Sequence, residues 1–132
     1  MNGDGNPDLA IGHYSGQITD TSGDRMTILV GAGDGTFRQA WSQLVPGKAP
    51  TRVAIGDVNG DKIADAVFAN YGNNSVTVVL GSRTEFKSAT GWTTAVGRFP
   101  TGVAIGDLNG DGKGDIVTSN YDDNDISIVL TK

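Results

Sequence analysis

The sequence predicts an all-β fold: β-propeller blades of four antiparallel strands, forming within one chain an incomplete ring that oligomerisation would close. Three observations carry this reading. Twenty glycines stand among 132 residues of which only 19% are charged, a turn-rich composition with too little charge for a coiled coil or helical bundle. The apolar residues fall in short runs such as Val76 to Leu80, too clustered for a disordered chain. Most tellingly, the chain repeats itself at a spacing of fifty, the length of a four-stranded blade.

Pro50, Asp57, Asp61, Asp65, Tyr71 and Leu80 recur fifty positions on as Pro100, Asp107, Asp111, Asp115, Tyr121 and Leu130. Asp4, Asp8 and Tyr14 precede Asp61, Asp65 and Tyr71 by fifty-seven, whereas Gly31 precedes Gly81 by fifty. About seven extra residues of the first unit therefore fall between Gly16 and Arg25. The chain reads as one repeat domain, 1–132, with units at about 1–49 (lacking its first strand), 50–99, and 100–132 (lacking its fourth). Open sheet edges at both ends would seek partners, which points to a homo-oligomer.

Each unit opens with a strand, "RVAIG" or "GVAIG", followed by an oxygen-rich loop. A second strand, "DAVFANY" or "DIVTSNY", leads through a polar turn ("GNNS", "DDND") into a third, "VTVVLG" or "ISIVLT". The fourth is less regular, "FKSATGWTTAV" in the middle unit. Short β-branched runs bounded by Gly, Asn and Asp are strands. Val53-Ala54-Ile55 and Val67-Phe68-Ala69 lack alternation, as expected of strands buried on both faces. In "GAGDGTF", Asp34-Gly35 signals a two-residue hairpin turn.

The formal net charge is −5, and eight of the fourteen aspartates lie in the repeated loops. Nothing basic clusters, so nucleic acid and acidic membranes are excluded as expected partners. There is no cysteine, no run long enough to cross a bilayer, and no signal-like stretch after Met1.

In the third loop Asp107, Asn109, Asp111 and Asp115 occupy positions one, three, five and nine, and Lys113 offers a backbone carbonyl at seven. An oxygen-only set of this kind suits a hard cation such as calcium. An EF-hand would carry a bidentate glutamate at position twelve, where Phe68 or Thr118 stands. A glycosidase pair would set one acid apart in an apolar pocket. A polar turn is the remaining alternative, but it needs only one or two such residues. In the second loop Lys62 replaces the central glycine, which strains a positive φ by about 1 kcal/mol and brings a like charge to the cation. The first loop offers Asn2, Asp4, Asn6 (carbonyl) and Asp8.

"GDLNGDGKGDIV", "GDVNGDKIADAV" and "GAGDGTF" together resemble FG-GAP/VCBS repeats, the repeat family of integrin-α-like β-propellers and many bacterial extracellular proteins. The resemblance implies structural calcium in the loop joining the first two strands of each blade. It carries over Asp107, Asn109, Asp111, Lys113 and Asp115, and likewise Asp57, Asn59, Asp61, Ile63 and Asp65. It implies a non-enzymatic binding or scaffold module at the cell surface or outside the cell, with a glycan or protein as ligand. Tyr14, Tyr71 and Tyr121 share one repeat position, and with Trp41 and Trp92 they are candidate ligand-binding residues for a lectin with sites between blades. Packing between blades is the commoner role for such aromatics. A fragment of a polysaccharide-active enzyme is the weakest alternative, because no acid stands apart from the loops. His13 reads as a rim residue at the place of Asn70 and Asn120.

Overall fold

A computed structural model describes residues 1–16, 23–45, 48–84 and 91–132. They form three antiparallel sheets and no helix. The first holds β1 (Leu9–His13), β2 (Arg25–Gly31) and β3 (Phe37–Leu44) in that order. The middle sheet is β4 (Pro50–Gly56), β5 (Asp65–Asn70), β6 (Ser75–Val79) and β7 (Thr93–Ala95). The third is β8 (Pro100–Gly106), β9 (Asp115–Asn120) and β10 (Asp125–Val129). These are the ten strands the repeat predicts, in blades of three, four and three. They do not close a ring.

The blades pack face to face, and the alternation of side chains along β5 decides what meets what. Ala66 and Phe68 join Met26, Ile28 and Trp41 in a core against the first blade. Val67, on the other face, joins Val58, Val76, Val78 and Ile116 against the third. All six β5 residues are buried, as the lack of alternation predicts, and enclosing a side chain such as Phe68 contributes roughly 2–3 kcal/mol.

Two expectations are corrected. In β4, Val53 and Ile55 are 36% and 49% exposed, so this strand is not buried on both faces. Their counterparts Val103 and Ile105 pack against the middle blade's core, but the described first blade has no inner strand for Val53 and Ile55 to cover. The turn at Asp34-Gly35 spans residues 32–36 rather than two. Positive φ at both Gly33 and Gly35, a 3.0 Å bond from Ala32 N to Thr36 O, and an Asp34 carboxylate accepting from Thr36 give the longer loop its own closure. Most of the first-unit insertion, and the start of the fourth segment in the middle unit, lie outside the described residues.

β4 and β8 each begin with a proline, where no ladder N–H is required. In each the register shifts just afterwards, leaving Thr51 and Thr101 as extra bulge residues.

Candidate functional site

The loops between the first two strands are built from their own amides. Asp107 accepts Gly110 N at 2.6 Å on one oxygen and Gly112 N at 2.9 Å on the other. Asn109 Oδ1 accepts Asp111 N, and Asp111 Oδ1 accepts Lys113 N, both at 2.9 Å. The middle loop repeats every one of these bonds: Asp57 takes Gly60 N and Lys62 N, Asn59 takes Asp61 N, and Asp61 takes Ile63 N. In the first loop Asn2 takes Asp4 N and Asp4 takes Asn6 N. Left-handed residues make the bends: Gly3 and Gly5, Gly60 and Lys62, Gly110 and Gly112. Lys62 has φ 66°, the strained conformation its sequence position implies.

The ninth position plays a different part. Asp115 is fully buried and joins the loop to the chain beyond β10, accepting Leu108 N at 3.0 Å and Thr131 N at 2.9 Å. Asp65 does the same with Val58 N and Gly81 N, and Asp8 with Asn2 N and Gly31 N. Burial raises the Asp65 carboxyl above the usual carboxylate range, against the pull of its two amides. The charges of Asp61 and Asp57 add to the rise, which marks the three acids as neighbours. Asp107 moves the other way, held low by the amides of Gly112 and Gly110, as Asp4 is by the amide of Asn6.

The donor set fits a hard cation in kind. It is all oxygen, and a carboxylate with about four acceptor positions keeps some free after taking two amides. In arrangement it fits less well: among the described residues no three carboxylates or imidazoles stand close enough together to hold an ion.

The aromatic candidates divide. Trp41 is a core residue, 9% exposed, while Trp92 is 38% exposed; both line a cleft of about 230 Å³ between the first two blades. Lys48 reaches into the same cleft, donating to Thr77 and Thr93 at 3.2 Å each, and its ammonium pKa is lowered by burial. Tyr71 stacks on Phe99, just ahead of β8, with ring centroids 4.7 Å apart. Tyr14 and Tyr121 are exposed instead. Ala49 stands fifty residues before Phe99, so the repeat position of Tyr71's stacking partner carries no ring there. His13 is exposed at the rim, while Asn70 and Asn120 at its repeat position bind Ser75 and Ser127 hydroxyls.

One repeated feature escaped the sequence reading. Asp24 and Asn74, fifty residues apart, each reach the residue just before the next inner strand and accept its backbone N–H at 2.9 Å, from Ala49 and Phe99 respectively. Ala49 and Phe99 both have positive φ, so these bonds hold a strained entry into each inner strand. Asp24 is also a buried acid apart from the loops, contrary to expectation. Its oxygens accept Ser15 N and Ala49 N, a structural duty. The period itself was the available signal, since Asn124 completes the series.

Repeated antiparallel blades, joined through carboxylate loops and packed face to face, define a tandem repeat protein of propeller type. The FG-GAP-like repeat family matches residues 1–68 and 57–118, and the chain belongs to that family. Neither a curated protein nor a solved structure gives a significant match. Membership points to a binding module of the β-propeller type found in extracellular proteins.

Proposed function

We propose that this chain is a calcium-braced β-propeller module that works outside the cell or at its surface, as a binding scaffold without chemistry of its own. The observation that carries the reading is the identical amide scaffold of the second and third loops, with the same oxygens on the same N–H groups fifty residues apart. Asp107, Asn109, Asp111, Asp115 and the Lys113 carbonyl would hold the ion in the third loop. Asp57, Asn59, Asp61, Asp65 and the Ile63 carbonyl would do so in the second. Asn2, Asp4, Asn6 and Asp8 would form a weaker first site. Bound calcium would neutralise acids that now repel one another and fix each loop between its two strands.

Further copies of the chain complete the ring in this reading. Leu108, Ile126 and Ile128 are more than half exposed, whereas Val58, Val76 and Val78 at the same repeat positions are buried under the third blade. Among the described residues Asn124 makes no counterpart of the Asn74 bond. A head-to-tail contact between copies would cover this face and engage Asn124. Mass by light scattering, in calcium and in chelator, tests both parts. A discrete oligomer that melts higher in calcium supports them. A monomer indifferent to chelator overturns them.

A further inference from the structure

We infer that the rim cleft shared by the three blades binds a carboxylate-bearing sugar, a hexuronate unit of an acidic saccharide, with Arg52 taking the carboxylate. This rests on the binding-module reading and names its ligand class. The cleft holds about 390 Å³ and is lined by Tyr14, Thr51, Arg52, Tyr71 and Thr101. That volume is within the range of small-molecule sites, and the lining has their mixture of aromatic walls and a few convergent polar groups.

The polar groups are under-used. Arg52 is exposed and makes one hydrogen bond, from Nη1 to its neighbour Thr51 O at 2.9 Å, leaving most of its five donors free. It pairs with no carboxylate among the described residues, unlike Arg98, which binds both Asp122 and Asp123. A planar guanidinium with free donors matches a carboxylate two bonds at a time. The Thr51 hydroxyl is shielded from solvent and has no hydrogen-bond partner. Rotation about χ1 would offer it to a sugar hydroxyl.

The aromatic side is equally particular to this place. Phe99 stacks on Tyr71, but Ala49 stands at the repeat position of Phe99 and the Tyr14 ring is 38% exposed. Gly102 stands where Arg52 does, and a side chain there would run into Ser119, whereas Arg52 lies opposite the smaller Ala69. One repeat further on, the same positions therefore lack both the cation and the unstacked ring. The Lys48 cleft is a poorer anion site, because that ammonium already binds Thr77 and Thr93. The rim cleft opens near the start of β4 and the carboxylate loop follows its end, a distance of roughly 20 Å along the strand. That exceeds the Debye length of about 8 Å at physiological salt, so the acidic loops do not cancel Arg52.

Titration with sodium glucuronate, followed by amide shifts in two-dimensional NMR, tests the assignment, with glucose and sodium acetate as controls. The expected result is saturable shifts at Thr51, Arg52, Tyr71 and Thr101, at least tenfold weaker with glucose and with acetate. Arg52→Ala should abolish the preference for glucuronate over glucose, and Tyr14→Ala should weaken both sugars about fivefold. No shifts, equal response to glucose, or equal response to acetate would each overturn the proposal. Repeating the titration in chelator separates it from the calcium reading. Sugar binding that survives without any calcium-dependent change in melting sinks the calcium reading alone. A normal calcium response without sugar binding sinks this one alone.

Discussion

Two aspartates of the same loop should differ sharply in chelator when removed. Asp115→Ala deletes the acceptor of two backbone amides, Leu108 N and Thr131 N, in a residue with no exposed surface. A buried donor left unpaired costs about 1–3 kcal/mol, so losing the acceptor of two costs about 2–6 kcal/mol with no ion involved. For a domain of this size each kcal/mol moves the melting temperature by about 3–5 °C, giving a fall of roughly 6–30 °C in chelator. Asp111 is exposed, and water can replace its bond to Lys113 N. Asp111→Ala should therefore leave melting in chelator almost unchanged. If Asp111 is a ligand, the same variant loses the stabilisation that calcium confers, about 2.7 kcal/mol for a site at a hundredfold excess over Kd. Thermal melts of wild type and both variants, each with calcium and with chelator, provide the assay. Equal losses for Asp111→Ala in the two conditions would refute the metal reading. A harmless Asp115→Ala in chelator would refute the strut.

Lys62→Gly removes a strained φ of 66° and a positive charge from the second loop, so calcium should bind there more tightly; unchanged affinity by calorimetry would contradict this. Because glycine also loses about 0.4–1 kcal/mol to unfolded-chain entropy, melting in chelator should barely move. Asp24→Ala strips the acceptor from the buried Ala49 N and should lower stability by about 1–3 kcal/mol in denaturant melts, whereas shortening residues 17–22 with Asp24 kept should be tolerated. The Asp123 carboxyl is held below its ordinary value by the Arg98 amide first and the guanidinium second. Arg98→Ala should raise it part of the way, read by carboxyl NMR. The sign follows from linkage: a depressed aspartate stabilises above its unfolded pKa and loses that contribution as pH falls through its folded pKa. The stability gap between wild type and Arg98→Ala should close over that interval, and a constant gap would argue against the pairing.

The blades were legible because their signals are local and repeated. Glycine at 110 and 112, β-branched runs at 76–79 and aspartates at fixed spacing each act within a few residues, and the period multiplies the evidence. Exposure was not legible in the same way. "RVAIG" and "GVAIG" are nearly the same string, yet Ile55 is half exposed and Ile105 packs into a core, because burial depends on which blade lies alongside. The ninth aspartate belongs to neither class. Its spacing identified it as a candidate ligand, while its partner, the second residue after the third strand, lies sixteen positions away and becomes visible only once the sheet is folded. That dual engagement bears on how such a loop could respond to an ion. A carboxylate already fixed by two amides loses little freedom when it meets a cation, so the ninth position is preorganised. Asp107 is held likewise by Gly110 N and Gly112 N, whereas Asp111, exposed and holding one backbone amide, is freer to converge. Calcium would then act on the exposed half of the loop, tightening it against a buried half that folding alone has set.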